Sequence, residues 1–227
     1  MDLNTNQASF LGTTLETGKM AFDARLFQLA KQDSDVAKIA AALYGENPTQ
    51  QAVDATIYAA KSVGAVKTFD DLFKSDDKIS VGIASLSEGK PAAGDYFLAT
   101  HIALQYAVAA GTTDADVKAA NFGLISSLIR NGEIKMSQNN REILPSQSCE
   151  IFYAAKQVVV AGDNNVAAGT AIVNTFAGFG DIGLYKLENP KWIYPDRKLD
   201  VSLKFADALP ANSAVRMIIY GVKNGKL

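Results

Sequence analysis

The stretch LYKLENPKWIYPDRKLDVSLKFADALPANSAVRMIIYGV, from Leu184 to Val222, decides the fold class of this 227-residue chain. In Leu199, Val201, Leu203 and Phe205 every second residue is apolar, and Asp200, Ser202 and Lys204 lie between them. That is the period of a half-buried strand, with one face in a core and one in water. Ala214 to Val222 is apolar on both sides of its alternation, and Pro210, Asn212 and Ser213 place a turn before it. The stretch therefore predicts two strands joined by a loop. Upstream, Pro190 and Pro195 bracket Lys-Trp-Ile-Tyr, a segment that can lie extended on a sheet edge but not in a helix interior or a central strand. These features predict a β-sandwich or barrel.

Apolar residues make up 48% of the chain and aromatics 9%, enough to fill the core of one large domain or two small ones. The net charge of −2 is unevenly spread: residues 1–90 and 91–185 each carry −3, and 186–227 carry +4. The basic residues of that last part are dispersed, which suits solvated strand faces better than a nucleic-acid footprint. Cys149 is the single cysteine, so no intrachain disulfide can form. Met1 to Asn6 is polar and lacks the cationic-then-apolar order of a signal peptide, and the apolar runs are too short or interrupted to span a bilayer as helices. The expectation is a soluble, non-secreted product with no transmembrane segment.

The first part of the chain reads as helical. Phe22, Leu26 and Leu29 recur at helical spacing, and Asp33 and Ser34 offer a cap to a second helix, Asp35 to Tyr44, striped by Val36, Ile39, Ala40 and Leu43. The two helices should pack as a hairpin. Pro48 and Thr49 open a third predicted helix, with Val53, Ile57 and Ala60 on one face up to Gly64, and a short turn is expected from Thr68 to Phe73. Lys78 to Leu86 is ambiguous, and a boundary is placed at Ser87 to Ala93. The chain is thus divided into a helical N-terminal region, 1–88, and a β-domain, 89–227.

Beyond that boundary Leu98, Thr100, Ile102, Leu104, Tyr106 and Val108 fall on one side of an alternation, predicting a long strand at Phe97 to Val108. Thr113 and Asp116 have the spacing of a capping box. Phe122 to Leu144 is strand-like, and Glu133 to Ser137, Asn139-Asn140 and Arg141 to Leu144 predict a hairpin ended by Pro145. A further strand is expected from Cys149 to Tyr153, continued by Val158 to Val160 up to a polar turn at Gly162 to Asn165. Gly169 to Leu184 stays open between a bulged strand and a loop.

Chemistry-bearing constellations are sparse. His101 is the only histidine, so no second imidazole can join it at a metal, and Cys149 could act as a nucleophile only if His101 met it in space. Asp70-Asp71, Asp76-Asp77 and Asp114 with Asp116 are carboxylate pairs in short polar runs, better suited to caps and solvated loops than to acid–base work. Asp163-Asn164-Asn165 lacks the spacing of an EF-hand loop. Gly178, Gly180 and Gly183 have GxGxxG spacing, but a proline segment follows where a phosphate-binding helix would have to begin. No catalytic, cofactor or metal residues are assigned. Trp192 and Tyr194 remain as candidate binding residues, forming either an aromatic platform or a lid and subunit contact at the end of a sandwich.

The succession of Phe97 to Val108, Asn131-Gly132-Glu133-Ile134-Lys135, Arg141-Glu142-Ile143-Leu144-Pro145, Pro190 to Pro195, Leu199 to Phe205 and Val215 to Gly221 resembles the jelly-roll capsid proteins of small bacterial viruses. The resemblance covers about 130 of 227 residues. It implies an α+β chain, with a helical N-terminal region followed by an antiparallel jelly-roll β-sandwich that self-assembles into a virion shell with other virion proteins. No catalysis and no cofactor are expected, and the product would be made in the host cytoplasm and end in the virion. One departure is the lack of a basic amino-terminal arm, which puts direct genome binding in doubt. The rival expectation is a monomeric β-sandwich binding module recognising carbohydrate or a partner protein through Trp192 and Tyr194.

Overall fold

A computed structural model describes residues 23–153 other than 25, 33, 45–48, 71 and 124, together with residues 183–226. Among these described residues eight strands form two four-stranded sheets, and all their pairings are antiparallel. They are β1 (Gln50–Ser62), β2 (Thr68–Phe69), β3 (Phe97–Val108), β4 (Glu133–Gln138), β5 (Arg141–Ser148), β6 (Leu184–Ile193), β7 (Leu199–Lys204) and β8 (Ser213–Lys226). The first sheet has the order β1-β8-β3-β6 and the second β2-β7-β4-β5.

The pairing is nested. β4 pairs with β5, β3 with β6, β2 with β7 and β1 with β8. The described strands thus pair as one long two-stranded ribbon, closed at Asn139-Asn140 and rolled so that β8 also meets β3 and β7 also meets β4. The closing turn needs left-handed backbone, and φ is 49° at Asn139 and 63° at Asn140. Asparagine tolerates that region better than other residues carrying a Cβ.

Packing follows the period of two. Leu199, Val201 and Leu203 of β7 are buried, as their alternation predicts, and meet Ile134 and Met136 of β4 and Ile102, Met217 and Ile219 of the first sheet in the core between the sheets. β6 is an edge strand of its sheet, as the prolines required. The strand at Phe97 to Val108 forms with the expected bounds, but its alternation breaks at a bulge between Ala99 and His101. Phe97 and Ala99 face the inter-sheet core, and beyond the bulge Ile102 and Leu104 do so. Leu98 therefore lies on the opposite face from Ile102, contrary to the unbroken alternation. The bulge brings backbone close to β8, where a Cβ on Gly221 would sit 2.0 Å from the Leu98 carbonyl oxygen. The Thr100 hydroxyl donates to the Tyr220 carbonyl at 3.1 Å, satisfying a group beside the break.

The outer face of the first sheet is partly covered. Helix α1 (Ser34–Tyr44) and the helical residues 26–30 bury Leu26, Val36, Ile39 and Leu43 against Leu98, Trp192 and Val222. Leu29 and Ala30 also pack against that cluster. Helix α2 (Asp114–Ala119) starts with the Thr113–Asp116 capping box and packs Val117 with Ala60, Ile83 and Ala214. A short helix α3 (Ser127–Arg130) precedes β4, within a span expected to be strand-like. Arg130 reaches from it to Glu150 with two bonds of 2.9 and 2.7 Å, its guanidinium 3.7 Å from the Tyr153 ring.

Four further expectations are corrected. The third predicted helix is strand β1, paired with β8 over 13 residues, so residues 1–88 are not uniformly helical and the first sheet uses chain from both sides of the expected boundary. Val53, Thr56, Ile57 and Tyr58 are good strand formers, and pairing with a distant strand outweighed the local helical spacing. Thr68-Phe69 is a short strand rather than part of a turn. Pro145 does not end β5, which continues to Ser148 on the sheet edge. Cys149–Phe152 is a 3-10 turn capped by the Ser148 hydroxyl, not a strand. The expectations for Val158 to Val160, Gly162 to Asn165, and Gly169 to Asp181 lie outside the described residues.

Candidate functional site

Trp192 and Tyr194 lie two residues apart at the end of β6 but in different surroundings. Trp192 is on the outer face of the first sheet, 3% exposed, roofed by α1 and packed with Leu98 and Val222. Ile193 points the other way, into the inter-sheet core. Tyr194 follows the last residue of the strand and is half-buried. Tyr96 joins the pair, its ring edge-on to Trp192 at 6.5 Å and to Tyr194 at 6.1 Å. A flat aromatic platform needs an open ring face, and Trp192 offers none beneath the helix. Tyr194 alone of the two reaches the surface.

The loop carrying Tyr194 is held from the opposite sheet. Gln138, the last residue of β4, is 3% exposed. Its Oε1 accepts from the Tyr194 N–H at 2.8 Å, and its Nε2 donates to the carbonyls of Tyr194 at 2.9 Å and Arg197 at 2.8 Å. Arg141 donates to the Tyr194 hydroxyl at 3.0 Å, and the Arg141 and Arg197 guanidiniums sit 5.4 and 5.1 Å from its ring. The cleft beside them, about 550 Å³, is lined by Lys38, Ile39, Tyr96, Tyr194, Asp196 and Arg197. It is a cation-edged aromatic cleft, suited to an acceptor-rich or anionic contact. Sequence reasoning found Tyr194 through its prolines and missed Gln138, Arg141 and Tyr96, which carried no local signal.

A second cavity, about 470 Å³, opens beside β1 with a floor of Ala55, Ile57, Leu86 and Phe97. Lys90 with Glu88 at 2.6 Å, and Lys223 with Asp95 at 3.4 Å, form ion pairs along its rim. Asp196 borders both clefts.

The other sequence candidates do not converge. Cys149 is fully buried in the inter-sheet core, where burial, and after it the charge of Glu133, pushes its thiol up to about 12. A thiol held protonated is a poor nucleophile. His101 follows the bulge on β3, its Nδ1 3.0 Å from the Thr100 hydroxyl, and it is not part of the core that holds Cys149. Asp77 accepts from Lys61 and from the Lys74 N–H, Asp116 closes the capping box and Asp70 accepts from Ser202, so these carboxylates serve local structure. Among the described residues no three His, Cys, Asp or Glu side chains group as metal ligands, and no helix is long and apolar enough to cross a membrane. Gly178 and Gly180 lie outside the described residues.

Fold and clefts together define an antiparallel β-sandwich with helices on one outer face. Comparison with known protein families and with curated proteins finds no match to the chain.

Proposed function

We propose that this chain is a jelly-roll subunit of a virion shell, as its resemblance to capsid proteins of small bacterial viruses suggests, and that its role is self-assembly rather than catalysis. The observation that carries the reading is the strand order β1-β8-β3-β6 facing β2-β7-β4-β5. This nested antiparallel pairing supports the jelly-roll reading, because a jelly roll is a double-sheet fold of eight strands that recurs in capsid shells. The buried thiol of Cys149 and the locally committed aspartates support a structural role. Val66, Ile79, Val81 and Val108 are large apolar side chains exposed in loops or at strand ends, where contacts with sister copies would cover them. In this reading the chain is made in a host cytoplasm and its partners are further copies of itself and other virion proteins.

Light scattering with negative-stain electron microscopy tests the reading on the purified chain across a range of salt and pH. The expected result is closed particles or a defined oligomer. A strict monomer under every condition, with glycan or peptide binding lost on Tyr194→Ala, would replace it with the monomeric binding module.

A further inference from the structure

The outward edge of β1 is only half closed by the chain itself. Tyr58 N–H donates to the Ser85 hydroxyl at 2.8 Å, Ser85 N–H donates to the Tyr58 carbonyl at 3.0 Å, and Ala60 N–H donates to the Ile83 carbonyl at 2.7 Å. Tyr58 and Ala60 therefore aim their backbone groups away from β8. The β1–β8 register runs over 13 pairs without a shift, so the same alternation carries back along the strand. Ala52, Asp54 and Thr56 must aim their N–H and C=O groups outward too. Among the described residues no strand or loop pairs with those three. The bridge of Ala59 to Ala84 is thus a short, built-in instance of strand addition that stops before the rest of the edge.

What lies beside the open part has chemical character. Ala55, Thr56 and Ile57 all line the 470 Å³ cavity, which starts beside β1 and runs on past Lys223 of β8 to Phe97 of β3. Ala55 and Ile57 face the core side, where Leu86 and Phe97 continue the apolar floor and Ile79 stands 68% exposed at the rim. Asp54, one residue out of phase, belongs to the opposite face and makes no ion pair among the described residues. A second copy pairing antiparallel through the same residues would set Asp54 against Asp54, and like charges directly opposite are unfavourable.

We propose that the β1 edge from Ala52 to Thr56 is a docking site for an extended peptide that alternates basic and apolar residues and joins the first sheet as an added antiparallel strand. Main-chain bonds to Ala52, Asp54 and Thr56 hold it, its apolar side chains enter the cavity beside Ala55 and Ile57, and its basic side chains lie beside Asp54.

The test is fluorescence anisotropy on the full chain with three labelled probes: a short peptide of alternating lysine and valine, its aspartate and valine counterpart, and a peptide of the same lysines and valines in two blocks. The alternating lysine peptide should bind at least about tenfold more tightly than either control. Asp54→Lys should weaken it by about tenfold and let the aspartate peptide bind instead. Thr56→Pro removes one outward N–H and none that faces β8, so it should weaken binding similarly while Trp192 emission stays as in the parent chain. Equal binding of the alternating and block peptides, or binding indifferent to Asp54→Lys, overturns the proposal whether or not Thr56→Pro folds.

Discussion

Gln138 and Tyr194 exchange two hydrogen bonds across the sandwich, the Tyr194 N–H to Oε1 at 2.8 Å and Nε2 to the Tyr194 carbonyl at 2.9 Å. A side-chain amide here does what a neighbouring peptide group does in a sheet ladder, and it joins the end of β4 to the loop leaving β6. Gln138→Leu strips partners from three backbone groups at once. The expected cost is about 2–4 kcal/mol, read by urea denaturation, and Gln138→Glu should recover only a part because it lacks the donor.

Gly221→Ala places a methyl group 2.0 Å from the Leu98 carbonyl oxygen, against backbone that cannot rotate away. A loss of about 3 kcal/mol or more is expected in the same measurement. Gly94 has φ of 83° and open space, with nothing within 4 Å, where a Cβ would lie. Gly94→Ala should therefore show only the smaller penalty of backbone strain, about 1 kcal/mol.

Trp192 is the only tryptophan, and α1 is its roof. Its cluster is separate from the core between the sheets, so Ile39→Asp should lift the helix and shift Trp192 emission to the red while far-ultraviolet circular dichroism keeps its strand signal. Simultaneous loss of both signals would mean that the helix and the sandwich form one cooperative unit.

The Cys149 thiol is raised from 9.0 to about 12, burial being the larger cause and the charge of Glu133 the smaller. The folded protein therefore holds a proton that the unfolded chain gives up earlier. The stability this contributes is complete below about pH 9 and is lost as the pH rises toward 12. Alkylation of the native chain by iodoacetamide near pH 8 should be slow, and Cys149→Ala should flatten the alkaline limb of the stability curve.

Glu150 titrates on the opposite side. The hydrogen bond from Arg130 holds its carboxyl below the ordinary 4.5, so the contribution is present above that value and fades as the pH falls through the lowered one. The melting-temperature difference between the parent chain and Glu150→Gln should shrink on acidification from pH 6.

The alternation of β7 and the Asn139-Asn140 hairpin were legible in the sequence because both are local: side-chain period and turn chemistry lie within a few residues. β1 was not. Ala52, Ala55, Ala59 and Ala60 are comfortable in helices, and the partner that settles the matter, β8, is far along the chain. The bulge at Ala99/His101 was hidden because nothing local marks it. Its signature is Gly221, in another strand. Tyr194 could be singled out from its neighbours, whereas the burial of Trp192 depends on a helix well upstream, and Gln138 read as an ordinary polar residue at a strand end.

The nested ribbon also orders events during synthesis. β8, the last of the eight strands to leave the ribosome, occupies an interior place between β1 and β3, so the first sheet cannot close on a nascent chain that has exposed only the earlier strands. Until then β1 has no strand partner, while β4–β5, β3–β6, β4–β7 and β2–β7 can already pair. The first sheet therefore closes only once β8 has joined it, and a chain truncated before β8 should be digested by protease over β1 while the full chain resists.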